Sequence, residues 1–114
     1  MYAMIVVVFE VTMKQGQEAR YFDLAAALRP ELAEIDGFLS VERFQSLVTP
    51  DKYVSVSFWR DAAAVDQWRT HEGHRLAQAL GKNEIFADFR ITVAEALRSY
   101  TLAERAATAA ASAR

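Results

Sequence analysis

The hydrophobic pattern changes period several times along the chain. Met4 to Phe9 is continuously apolar and rich in β-branched residues, followed by Glu10-Val11-Thr12-Met13. A run so short and so branched predicts a strand covered on both faces. Lys14-Gln15-Gly16-Gln17 reads as a turn. From Glu18 onward, Tyr21, Leu24, Ala25, Leu28, Leu32 and Ile35 recur three or four apart, one stripe of an amphipathic helix. Pro30 removes a backbone donor within that stripe, which predicts a kink or an early end. Asp36-Gly37 supplies the stop and turn.

Phe38 to Leu47 alternates imperfectly, with Leu39 and Val41 assigned to one face and Phe38 and Phe44 to the other. After the turn at Val48-Thr49-Pro50-Asp51 the alternation is clean: Val54, Val56 and Phe58 against Tyr53, Ser55, Ser57 and Trp59. The two runs predict a hairpin. Asp61 is placed to cap a helix burying Ala64, Val65 and Trp68. Thr70 then caps a second short helix through Leu80, and Gly81 stops it. A last strand carries Ile85, Ala87, Phe89, Ile91 and Val93 on one face and extends to about Tyr100. Residues 1–102 thus form one domain, and the Ala-rich stretch 103–114 reads as a frayed helical extension or a disordered tail, with disorder the expectation because it offers no large apolar side chain to dock.

The order β-α-β-β-α-β predicts a ferredoxin-like α+β fold, an antiparallel sheet with helices on one face. The first strand is apolar on both faces, yet the helices cover only one. A second copy of the chain is the economical cover, so a homodimer of face-to-face sheets is expected.

Composition narrows the function. The 114 residues are 53% hydrophobic, with 13 Lys+Arg against 15 Asp+Glu and a net charge of −2. No basic face is advertised, so nucleic acid is not the expected partner. The chain has no cysteine, which excludes disulfides, thiolate metal sites, iron–sulfur clusters and a Cys nucleophile. Neither a signal peptide nor a membrane span is legible, and a soluble cytoplasmic protein is the expectation.

Several stretches carry a family resemblance. Gly37-Phe38-Leu39-Ser40-Val41-Glu42, then Ser57-Phe58-Trp59-Arg60-Asp61, then Trp68-Arg69-Thr70-His71-Glu72-Gly73-His74-Arg75 together resemble the antibiotic biosynthesis monooxygenase family of dimeric α+β barrels. The resemblance covers about residues 2–100. It implies a small-molecule monooxygenase, because family chemistry includes oxidation of polycyclic aromatic hydroxy compounds, quinol oxidation and haem degradation. The best-understood branch uses neither metal nor flavin: an acidic aromatic substrate loses a proton and its anion reduces O2 directly. The chain also lacks a glycine-rich dinucleotide fingerprint and a P-loop. The expected partner is a small aromatic or quinol-like substrate, with no cofactor.

The expected site lies between sheet and helices. Trp68 is its wall, and it is equally at home as a core anchor. His71 and His74 are the chain's two imidazoles and the candidate bases, with surface or capping positions as the structural alternative. Phe9, Phe22, Tyr53, Arg75 and Phe89 are the candidate substrate contacts, although Arg75 could equally pair with Glu72 or Glu42. No metal site is expected, since His71 and His74 supply two ligands and no third is evident. In the haem-degrading branch the resemblance places an Asn where Phe9 stands and an axial His where Gln78 stands, which disfavours haem; His74, one helical turn away, keeps it possible. A catalytically silent binding or stress-related module is the alternative; Phe9, Phe22 and Phe89 would fill the cavity of such a module. Glu10, on an otherwise apolar strand, is expected to pair with Arg43 or Arg90.

Overall fold

The computed structural model describes residues 4–106. Its order is β1 (Ile5–Met13), α1 (Glu18–Ala33), β2 (Phe38–Gln45), β3 (Lys52–Trp59), α2 (Ala62–Thr70), α3 (Glu72–Leu80), a π turn (Gly81–Ile85) and β4 (Phe86–Glu95). The strands form one antiparallel sheet in the order β2-β3-β1-β4, the ferredoxin-like arrangement. No helix among the described residues is long and apolar enough to cross a membrane.

Period-two alternation sorts the sheet residues. Ile5, Val7, Phe9, Val11 and Met13 of β1 face the helices, while Val6, Val8, Glu10 and Thr12 face away. The hairpin of β2 and β3 forms as expected, but the faces of β2 do not. A bulge between Phe38 and Ser40 puts Phe38 opposite Trp59 and Val41 opposite Ser57, both on the helix side. Phe44 lies opposite Val54 on the outer side. One extra residue, Leu39, shifts everything before it.

Helix α1 continues through Pro30 to Ala33 rather than ending early. The bond that Pro30 cannot make belongs to the Ala26 carbonyl, and both residues are exposed, so water replaces the missing donor. Gly37, at φ +95°, turns the chain into β2. Arg60 locks that turn to the end of β3: its guanidinium donates to both Asp36 carboxylate oxygens at 3.1 and 3.2 Å, and its Nε to Asp61 at 3.1 Å. Asp61 caps α2 as expected, accepting from the Ala64 amide at 2.9 Å.

The break between α2 and α3 falls one residue later than expected. His71, not Thr70, is the extended N-cap of α3. Gly81 does not stop that helix either. It has helical angles and begins the π turn, and the ring of Phe86 occupies the space where a Cβ would stand. Ile85, expected on the last strand, closes the turn fully buried, and its carbonyl accepts from the Lys14 amide at 2.6 Å.

Strand β4 ends at Glu95, short of the expected Tyr100. Beyond it, Thr101 and Glu104 cap each other reciprocally: the Glu104 amide donates to Thr101 Oγ1 at 3.2 Å and the Thr101 amide to Glu104 Oε2 at 3.3 Å. This capping box starts a short helical stretch over residues 102–106. The rest of the expected tail, 107–114, lies outside the described residues.

Two separate apolar clusters form under the helices. One gathers Ile5, Leu32, Trp59, Ala64 and Val65; the other gathers Val11, Met13, Tyr21 and Ile85. Between them β3 presents only Ser55 and Ser57 to the helix side. Side chains this small leave space that the neighbouring large residues do not fill.

Candidate functional site

That space is a cavity of about 440 Å³. Its floor is the sheet: Val7 and Phe9 of β1, Arg43 of β2, Ser55, Ser57 and Trp59 of β3, and Phe89, Ile91 and Val93 of β4. Tyr21, Leu24, Ala25 and Leu28 of α1 make one wall. Val65, Trp68 and Arg69 of α2, with His74, Ala77 and Gln78 of α3, make the other, and Lys82 and Phe86 close one end.

Trp68 sits between the two histidines. Its ring lies 4.6 Å from His74 and 5.2 Å from His71, centroid to centroid. The helix break at His71 brings His74 back to Trp68, which in an uninterrupted helix would lie about 120° from it around the axis. Only His74 lines the cavity. Burial away from water, helped by the neighbouring His71, lowers its pKa to about 4. His74 is therefore a neutral imidazole at physiological pH. His71 faces α1, with Nε2 4.0 Å from Glu31 Oε1 and a buried Nδ1 that has no partner.

Trp59 is structural, as its place at the strand corner suggests: it is 1% exposed, and its Nε1 donates to Ser57 Oγ at 2.9 Å. Of the expected substrate contacts, Phe9 and Phe89 line the cavity and leave it open. Phe22 and Tyr53 do not line it; they pack edge-to-face at 5.2 Å. Arg75 is exposed and also outside the lining. Glu10 belongs to the outer face, where Lys52 Nζ lies 2.8 Å from it and Arg90 Nε 4.0 Å. Its carboxyl is held below its ordinary pKa mainly by the Lys52 hydrogen bond.

Among the polar groups of the site that sequence reasoning did not assign to it are Arg43 and Tyr21. Arg43 points to the helix side, its guanidinium 5.7 Å from the centre of the Tyr21 ring, with a buried Nε that has no partner. Tyr21 itself is 6% exposed, and burial raises the pKa of its phenol, an effect that Arg43 partly offsets. The β2 bulge hid Arg43, because strict alternation from Phe38 leaves the register uncertain by one residue. Tyr21 was read only as part of a helix stripe. Among the described residues no three His, Asp or Glu side chains gather as a metal site would need.

Comparison with known proteins follows this geometry. The family model for antibiotic biosynthesis monooxygenases matches residues 4–80. A jasmonate monooxygenase, ABM, of Pyricularia oryzae is 38% identical over 96 residues, 84% of this chain and 45% of that protein. The chain thus spans less than half the length of that relative. The solved structure of Rv0793 from Mycobacterium tuberculosis superposes with a TM-score of 0.77 at 16% identity, covering 87% of this chain and 100% of that one. The cofactor-independent oxygenase SnoaB from Streptomyces nogalater, in a mutant form, superposes at 0.73 and 14%, covering 85% and 96%. At such identities these structures speak to fold.

Proposed function

The chain belongs to the antibiotic biosynthesis monooxygenase family, and on that premise we propose that it oxidises a small aromatic or quinol-like compound in the sheet–helix cavity, without a metal, flavin or haem. The observation that carries this reading is His74: a neutral imidazole, in tilted contact with Trp68, at the wall of an open and mostly apolar cavity.

The chemistry asks little else of the protein. A ring methylene flanked by phenols loses a proton, and the electron-rich anion passes electrons to O2. One oxygen atom stays as a ring carbonyl; the other leaves as water with both methylene hydrogens. His74 accepts the first proton. Its lowered basicity is offset as the reaction proceeds, because the substrate anion beside it stabilises the imidazolium. Phe9, Phe89 and Trp68 hold the ring and keep water from the anion.

Haem fits this cavity poorly. Phe9 and Gln78 both line it where the resemblance asks for an Asn and an axial His, so only Trp68 of that set is present. A silent binding module of the same fold would favour a filled cavity, and Phe9 and Phe89 stand in its wall instead.

Oxygen uptake with an anthrone such as 1,8-dihydroxy-9-anthrone, corrected for spontaneous oxidation, tests the reading. Labelled O2 should deliver one atom to the product. Because the fungal relative is named for jasmonate, that compound belongs in the same screen. No uptake above background with any of these probes would favour the binding module. A tight one-to-one haem complex that opens the ring when reductant is added would favour haem degradation.

A further inference from the structure

The polar groups of the cavity are not scattered evenly. Arg43 stands on β2, directly across the ladder from Ser55 of β3; that row continues to Phe9 of β1 and Ile91 of β4. With strands about 4.8 Å apart the row spans about 14 Å. Along this row the β2 end is cationic and hydrogen-bonding and the β1–β4 end is apolar, with Lys82 over the neighbouring Phe89 ring as the cation nearest that end.

No Asp or Glu lines the cavity among the described residues. Of the other two cations of the lining, Arg69 lies 3.8 Å from Asp66, and Lys82 sits over the Phe89 ring at 5.8 Å, as Arg43 sits over Tyr21 at 5.7 Å. Arg43 has no carboxylate, and its buried Nε–H goes unmatched. Nε itself is sealed from solvent, so a ligand would be met by the guanidinium atoms that line the cavity. The guanidinium fork matches a carboxylate bidentately. Tyr21, kept protonated by its burial, is a second donor beside it.

We infer that Arg43, with Tyr21 and Ser55, recognises a carboxylate carried by the ligand, whose apolar body lies along Phe9 toward Ile91. The substrate is then an amphiphilic monoanion whose charged group is separate from the reacting centre beside His74. This inference rests on the cavity being the substrate site, and a binding measurement tests it apart from turnover.

Calorimetry at neutral pH with 2-naphthoate, its neutral isostere 2-naphthamide and the un-ionised phenol 2-naphthol is the experiment. The naphthoate should bind at least about tenfold tighter than either neutral compound, as a desolvated charge-assisted pair allows. Arg43→Gln should erase that preference while leaving naphthamide affinity within about twofold; Arg43→Lys, which keeps the charge but loses the fork, should retain part of it. If Arg43→Gln does not fold, the lysine variant is read alone: an undiminished preference there overturns the bidentate site. Equal binding of acid and amide, a preference that survives Arg43→Gln, or no naphthoate binding at millimolar concentration overturns the inference. Tightest binding by 2-naphthol would assign Arg43 to the reacting oxyanion instead, and overturns it too. An acid that binds through Arg43 without oxygen uptake leaves this subsite standing and counts against the oxidation reading alone.

Discussion

The imidazole of His74 lies 4.6 Å from the indole of Trp68, with the two rings inclined by 44°. Burial at the cavity wall, to which this contact belongs, and the neighbouring His71 lower the imidazole's pKa to about 4.

His74→Ala should slow turnover of an anthrone probe at least about tenfold, toward the 10²–10⁴-fold range of a lost general base. The loss should shrink at high pH, where the substrate ionises unaided. In the wild type kcat/KM should stay flat on the acid side until pH approaches 4, two units below the break an ordinary histidine would give. His71→Ala should keep an acid limb and move it upward, because His71 helps hold the His74 pKa down. A break near pH 6.5, or no effect of His74→Ala on a measurable oxidation, would remove His74 from the mechanism.

The same residue ties stability to pH. Its pKa is about 6.5 in the unfolded chain and about 4 in the folded one, so the unfolded chain takes up the proton first. Stability present above pH 6.5 is lost as pH falls toward 4 and is level below that. Partial solvent screening reduces the effect to on the order of 1–2 kcal/mol. Urea unfolding at pH 7 and at pH 4.5 should show this difference in the wild type, and His74→Gln should remove that share of it. Glu10 and Asp61, whose carboxyls are held low by Lys52 and by the Ala64 amide respectively, act further down the scale and remain in both proteins.

The outer sheet face bears on assembly. Val6 and Val8 of β1 lie beside Phe58 and Val56 of β3, Phe44 of β2 stands opposite Val54, and Glu10 with Lys52 marks the polar edge. Among the described residues no helix covers this face. We expect two copies to pack here, giving a particle of twice the chain's mass in sedimentation at micromolar concentration. Val8→Asp buries an unpaired charge in that contact and should yield monomer or unfolded chain. A wild type that sediments as a monomer at that concentration would count against the contact.

Much of this architecture is legible from side-chain period. The clean alternation of β3 and the apolar run of β1 gave their faces, and Asp61 gave its cap. What was missed has local physical causes. The β2 bulge inserts one residue where apolar and polar positions are already irregular, so the sequence leaves the face of Arg43 open and offers it beside Arg90 as a partner for Glu10. The π turn adds a residue between α3 and β4, which moved Ile85 off the strand. The Thr101–Glu104 capping box was overlooked because alanine-rich composition was weighed above it. Of the cavity lining, Trp68 and His74 could be named in advance because the chain has two Trp and two His, whereas Phe9 and Phe89 are two of seven Phe, and Phe22, named with them, lies outside the lining. Which histidine enters the cavity depended on a one-residue helix break, and no periodicity reports that.

Gly81 offers a test of that π turn. Its backbone angles are helical, so alanine would suit it locally and helix propensity alone would favour the change by about 1 kcal/mol. The ring of Phe86, however, lies where the new methyl would go, and Phe86 is packed between Phe9 at 5.6 Å and Tyr21 at 5.9 Å. Forcing that ring aside should cost about 1–3 kcal/mol, enough to overcome the propensity gain. Gly81→Ala should therefore lower the urea midpoint, and because Phe86 lines the cavity it should also weaken ligand binding. Shortening the ring with Phe86→Leu in the same chain should return part of the stability, a coupling a double-mutant cycle would read directly. A Gly81→Ala protein more stable than wild type would mean that the Phe86 ring is free to move, and the close approach would not be what holds the glycine there.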